Sequence, residues 1–352
     1  MTEQAVFTAN SSIFFSLNGE TSNVTVAAIS DAWFRGRVIP ITFAVICLVG
    51  AVGNFVVIFV LCRDSRKTPS IPSVFILNLA IADFLYVITL PFSAYQYARK
   101  EWPFGTIVCK FFIGFDGMNQ FTGIFILTAM SVDRYLAIVR PIRCIPYRTV
   151  RKARIINVCI WLVSLFFSQP LWIYASVYPY SNVSAVCITD WPDHISDAGP
   201  FAFFIFAFVG GFAVPLCCIL VCYAKIYSFI IARGKERPGD TRLQGNTRRI
   251  AALVIVVVLA FSLCWFPFYI LNFISITTPA LSSDQLFKMT RFAAICLIYV
   301  NSCLNPIIYS FMGENFRKSL RSSRKRRQNY SFVVRSRRTS TNNNCSYISK
   351  QP

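Results

Sequence analysis

An acid, Asp116, and a base, Arg134, stand eighteen positions apart in one long apolar stretch of the chain. Eighteen residues at about 3.6 per turn make five whole turns, so a helix there carries both side chains on one face. At about 1.5 Å per residue they lie roughly 27 Å apart, close to the thickness of a bilayer's hydrocarbon core. Charges at membrane depth are expensive and mark functional sites by default. The pair suggests a helix that meets a cation on one side of a membrane and a protein on the other. Asp83 is a further acid in an apolar stretch. With Asn54, Asn301, Ser302 and Asn305 it puts polar groups into the same interior, where they must satisfy one another or hold water or an ion.

The elements that must position these groups are seven apolar runs, over 38–62, 73–98, 106–138, 153–177, 199–232, 248–276 and 288–312. Each is long enough to span a bilayer as a helix. The fold class expected is an all-α membrane protein, a seven-transmembrane helix bundle. After the seventh run, Glu314–Leu320 alternates apolar and basic residues at helical spacing, and Arg321, Arg324, Lys325, Arg326 and Arg327 follow. That reads as a short amphipathic eighth helix on the inner leaflet, with a polybasic extension that anionic lipids attract. The organisation is then a tail over 1–37, the bundle over 38–312, the amphipathic and polybasic segment over 313–327, and a Ser/Thr/Asn-rich disordered tail over 328–352.

Composition agrees. Of 352 residues, 55% are hydrophobic and only 14% charged, against about 25% charged in soluble domains. The net charge of +20 would suit nucleic acid, but the charges flank apolar runs instead of forming a folded basic domain. A positive-inside bias accounts for them. The loops after runs one, three and five and the tail after run seven hold most of the Lys and Arg, so that side is cytoplasmic and the N-terminus is outside. The opening residues MTEQAV lack the basic-then-apolar pattern of a signal peptide, so the run from Val38 is expected to act as the membrane signal. Three sequons, at Asn10, Asn23 and Asn182, all fall on the outer side. Most of the 13 cysteines lie inside apolar runs, as small core residues do. Cys109 and Cys187 lie outside, where an oxidising environment permits a disulfide tying the second outer loop to the third helix.

The motifs now carry a resemblance. Asp133-Arg134-Tyr135 closes run three, Cys264-Trp265-Phe266-Pro267 lies in run six, and Asn305-Pro306-Ile307-Ile308-Tyr309 lies in run seven. Asn54, Asp83, Trp161 and Pro215 mark runs one, two, four and five. In this order over residues 38–320, the chain resembles a rhodopsin-family G-protein-coupled receptor. The resemblance implies that Arg134 contacts a G protein, that Asp133 holds Arg134 in the resting state, and that Tyr223 and Tyr309 swing inward on activation. It implies that Ile124, Pro215 and Phe261 form a packing switch beneath Trp265. It also implies a sodium site at Asp83, Asn301, Ser302 and Asn305, weakened because Gly123 stands where a serine is usual. Pro215, Pro267 and Pro306 each remove a helix hydrogen bond, and kinked helices can pivot.

Asp116 decides the ligand class. Either it is a structural acid bonded to Tyr299, or it receives a cation. The fifth run, Phe201–Gly211, has no hydroxyl to grip a catechol or indole hydroxyl, which argues against such a monoamine. The stretch Asp116-Gly-Met-Asn-Gln-Phe-Thr122 is similar to the third helix of somatostatin receptors, as are Trp102–Gly105, Pro267–Ile270 with Asn272, and Tyr299–Cys303. Gly123 and Ile126 depart from that pattern. By this resemblance Asp116 pairs with a lysine of the ligand and Gln120 reaches the same ammonium. Asn272, Gln96 and Tyr299 line the pocket, with Phe268 and Phe92 as apolar walls. Opioid, melanin-concentrating-hormone and C-type allatostatin receptors are near relatives whose peptides stay open as ligands.

The expected function is a plasma-membrane neuropeptide receptor, somatostatin-like, that signals through Gi/o-type G proteins. The short third inner loop, Gly234–Thr247, accompanies that coupling. Ser336, Thr339, Ser340 and Thr341 suggest receptor kinases and arrestin as further partners. No cofactor is expected beyond the sodium ion. A transporter or channel would use buried acids as an ion path but is expected to show internal repeats, and none is evident. Catalysis has no candidate constellation, with one histidine, His194, in an outer loop. An opsin needs a lysine for a Schiff base, and the seventh run holds only Lys288 at its outer edge.

Overall fold

The computed structural model describes residues 33–65, 70–144, 148–181, 184–195, 198–236, 241–278, 280–281 and 284–312. Asn10, Asn23, Asn182, the amphipathic helix, the polybasic segment and the C-terminal tail lie outside the described residues.

Among the described residues, seven helices are long and apolar enough to cross a membrane: Phe34–Arg63, Ile71–Arg99, Gly105–Val139, Val150–Tyr174, Ala198–Arg233, Val258–Thr277 and Leu286–Ile308. They are called the first to seventh spans below. Many large side chains point outward, such as Leu48, Leu162 and Leu263, as expected where lipid replaces water. The third span is the central packing partner: it packs on the second, fourth, fifth and sixth.

Local chemistry sets the helix ends. Ser70 and Thr149 cap the second and fourth spans, each accepting a backbone N–H at 3.3 Å through its hydroxyl. Lys110 Nζ donates to the last carbonyls of the fourth span, Trp172 at 3.2 Å and Ile173 at 2.6 Å. Asp284 Oδ2 accepts from Phe287 N at 3.2 Å and starts the seventh. Gly105, at φ 78°, makes the sharp entry to the third span. Its carbonyl accepts from Trp102 Nε1 at 3.0 Å.

Three details differ from the sequence reading. The fourth helix stops at Tyr174, not 177, because Ala175–Ser181 is a strand, β1, paired antiparallel with β2, Ser184–Thr189. The second span breaks at Ile88–Thr89 and resumes at Leu90–Arg99, with Pro91 in its first turn. The fifth span holds a π-helical turn, Val209–Ala213, directly before Pro215. There Val214 N–H bonds to Val209 O, five residues back. The adjoining glycines, Gly210 and Gly211, lie against Phe167 and Phe121.

Candidate functional site

The long third helix carries Asp116 and Arg134 together, as their spacing requires. Asp116 is fully buried. From Gly105 it lies eleven residues, about 16 Å, down the helix. The phenols of Tyr86 and Tyr299 face it as polar neighbours, but neither makes a bond of full hydrogen-bond geometry with it. Both carboxylate oxygens lack a bonded partner among the described residues. The two rings pack on each other at 4.3 Å, and the Tyr86 hydroxyl has no bonded partner among the described residues. Tyr299 shares a hydrogen bond with Ser93 at 3.3 Å. The structural-acid alternative therefore has both phenols at hand but no bond of full hydrogen-bond geometry. A buried, unbonded carboxylate is costly and is relieved by a cation.

Gln120, one turn deeper, donates to the hydroxyl of Tyr269, which in turn donates to Ala207 O at 3.3 Å. The third, fifth and sixth spans are thereby joined beneath Asp116. Asn272 is buried and donates to Phe268 O at 2.9 Å within its own helix. Its Oδ1 accepts from Arg291 Nη2 at 3.2 Å. Phe268 is buried against Trp265 and Tyr269. Phe92 packs edge-on to Phe104 at 5.0 Å and lies against Trp102, in an aromatic cluster beside the β1–β2 hairpin.

The hairpin β1–β2 is fastened to this region at three points. Cys109 and Cys187 are disulfide-bonded with Cα atoms 5.5 Å apart. Gln96 donates to Cys187 O at 3.1 Å and accepts from Cys187 N at 2.9 Å. Trp102 N donates to Ala185 O at 2.7 Å. Gln96 therefore acts in the structure as a clamp on the hairpin.

Below Gln120, Trp265 stacks on Phe261 at 5.6 Å, and Phe261 meets Phe212 at 6.4 Å. Ile124 and Pro215 are buried. Trp265 Nε1 has no acceptor among the described residues. In the polar core, Asn305 Nδ2 donates to Asp83 Oδ2 at 2.8 Å. Asn54 Nδ2 donates to Gly50 O and Ser302 O, both at 3.0 Å. Ser302 Oγ and Asn54 Oδ1 are left unbonded among the described residues, and Asn301 is also buried. One carboxylate with neutral oxygens suits a monovalent cation or water. Gly123 adds no oxygen, and a Cβ there would find only Phe261, at 4.0 Å.

At the end of the bundle opposite the β1–β2 hairpin, Arg134 Nη2 lies 3.8 Å from Asp133 Oδ2. Arg148 holds the same carboxylate more tightly, with two hydrogen bonds at 2.9 and 3.1 Å. Tyr223 is buried near Ser131 and Arg134. Tyr135 is partly buried against the core. Tyr309 lies on the last helix, but its side chain is outside the described residues, whereas Pro306 is buried.

Tyr86, Ser93, Tyr269, Arg291 and Arg148 belong to these networks and were not singled out from sequence. Only Arg291 had a local sign, a charge inside the seventh apolar run.

The family described as 7 transmembrane receptor (rhodopsin family) matches residues 53–309. The chain is similar to somatostatin receptor type 2 of Sus scrofa, at 39% identity covering 88% of this chain and 83% of the relative. It is 40% identical to type 5 of Bos taurus, covering 82% and 76%. With type 3 of Homo sapiens it shares 38% identity over 81% and 68%.

Proposed function

Because the chain belongs to the rhodopsin family of seven-transmembrane receptors, we propose that it is the receptor for a somatostatin-like peptide whose lysine ammonium pairs with Asp116. As a family member it is a multi-pass protein of the plasma membrane and a receptor, not an enzyme. The observation that carries the ligand reading is Asp116 itself. It is fully buried, and both oxygens lack a bonded partner among the described residues. Somatostatin receptors as relatives support a peptide.

The peptide enters from the side of the β1–β2 hairpin, which is the outer face, with the N-terminus outside and the C-terminus cytoplasmic. Gln120 exchanges its bond to Tyr269 for one toward the ammonium, loosening the link between the third and sixth spans. Outward movement of the sixth span then opens the region around Arg134 to a Gi/o-type G protein. A ligand drives this only through unequal affinity for the two states. Phosphorylation of Ser336, Thr339, Ser340 and Thr341 would recruit arrestin.

Sodium is an allosteric partner in this reading, held by Asp83 with Ser302 and neighbouring oxygens. Replacing sodium by a larger organic cation is expected to raise agonist affinity in the wild type and to have no effect in Asp83→Asn. Equal sodium dependence in both proteins would exclude the site.

The test of the ligand class is inhibition of cyclic-AMP formation by somatostatin and by opioid, melanin-concentrating-hormone and C-type allatostatin peptides. Somatostatin or a C-type allatostatin is expected to act at the lowest concentration. A response confined to peptides without any amine would overturn the role of Asp116.

A further inference from the structure

We propose that Arg291 is an anion-receiving group at the mouth of the pocket and takes a carboxylate of the peptide. The inference rests on the peptide-receptor reading above and adds a second charge to it.

Arg291 lies near the start of the interior stripe of the seventh span, one turn after Phe287 and before Ile295, Ile298 and Tyr299, all buried. It stands eight residues before Tyr299, about 12 Å higher along the helix. Only 9% of it is exposed. Its guanidinium donates to Asn272 Oδ1 at 3.2 Å and to Ser275 Oγ at 3.4 Å, both neutral groups on the sixth span. Its Nε has no acceptor among the described residues. The ion pairs among the described residues centre on Asp133, at the opposite end of the bundle. Asp284, the acid next to the seventh helix, is occupied in capping it.

A buried guanidinium with no carboxylate partner among the described residues is as anomalous as a buried carboxylate without a cation. The molecule has both, on facing helices, with the acid deep and the base near the outer end. The two neutral bonds fix the fork while leaving charge uncompensated, which is what a bidentate carboxylate receiver requires. The ligand class that fits carries an ammonium at its inserted end and a carboxylate on the order of 10 Å behind it, given that rise. Within a peptide this carboxylate is either the C-terminus or an acidic side chain.

The alternative is that Arg291 only ties the sixth span to the seventh. The two roles separate in a ligand-pair experiment. The probes are somatostatin with a free C-terminal carboxylate, its C-terminal amide, and that amide carrying an exocyclic Glu or Gln. Each is assayed for potency on wild-type receptor, Arg291→Gln and Arg291→Lys, with surface expression measured in parallel. The wild type is expected to prefer one carboxylate form over its amide twin by roughly ten- to hundredfold. A free-over-amidated preference assigns the C-terminus, and a Glu-over-Gln preference assigns the side chain. Arg291→Gln is expected to bring that ratio to about one, and Arg291→Lys to keep part of it. A purely structural Arg291 would weaken all four probes equally and leave the ratio unchanged, which overturns the proposal. Wild type without any carboxylate preference overturns it too. If Asp116→Asn still abolishes the response in that case, the peptide reading stands and only the anion site falls. Silence of the wild type toward all four probes overturns both.

Discussion

Arg148 grips Asp133 through both carboxylate oxygens, at 2.9 and 3.1 Å, while Arg134 stays 3.8 Å away. The bidentate pair ties the third span to the segment that leads into the fourth. It leaves Arg134 restrained by charge more than by a hydrogen bond. Arg134 is the group expected to meet the G protein, so its restraint is expected to set the resting activity.

Asp133→Asn removes the charge that attracts both arginines. Ligand-independent G-protein activation in membranes is expected to rise several-fold. Arg148→Ala leaves Asp133 free to turn fully toward Arg134, so basal activation is expected to stay level or fall. A rise in Arg148→Ala equal to that in Asp133→Asn would show that Arg148 and Arg134 are restrained as one unit.

Gln96 holds the hairpin by a reciprocal pair of bonds to the backbone of Cys187. Two such bonds contribute about 1–3 kcal/mol. Gln96→Ala is therefore expected to weaken agonist binding about ten- to hundredfold with normal surface expression. Cys109→Ser or Cys187→Ser loses more, because the bridge closes a separation of 78 residues, worth about 4 kcal/mol in the chain-entropy account. Those variants are expected to lose surface expression as well as binding. Normal expression and binding in both would remove the bridge from the account.

Gly117 follows Asp116 and faces the fourth span, where a Cβ would overlap Leu171. Leu171 is buried and cannot yield cheaply. Gly117→Ala is expected to destabilise the bundle by about 1–3 kcal/mol, read as a lower Tm of detergent-solubilised receptor. An unchanged Tm would mean that the third and fourth spans separate more easily than their packing indicates.

The seven spans were legible because each needs about 20 apolar residues, a signal no soluble fold imitates easily. The acid and base of the third span were legible from helical period alone. Strand β1 was not, because Ala175–Ser181 becomes a strand only by pairing with Ser184–Thr189, and it follows the fourth helix without a polar break. The turn at Val209–Ala213 was hidden for a related reason. Pro215 signalled an irregularity, but the shift to a five-residue bond lies in the glycines before it. Within the site, the types of Asp116, Gln120 and Asn272 could be read locally, but their bonding states could not. The partners Tyr269 and Arg291 are 149 and 19 positions away from Gln120 and Asn272 respectively, and pairings of that kind carry no local pattern. The same holds for Arg148, 15 positions from Asp133.

The central claim is that Asp116 waits unbonded for a ligand ammonium. Its most direct test is somatostatin potency on wild type and Asp116→Asn at matched surface expression, repeated with a somatostatin whose lysines are replaced by neutral isosteres. Losing a buried charge pair costs about 3 kcal/mol or more, above a hundredfold in potency. The variant is expected to lose that much with native somatostatin and little further with the neutral peptide. Equal potency of native somatostatin on wild type and Asp116→Asn would contradict the account.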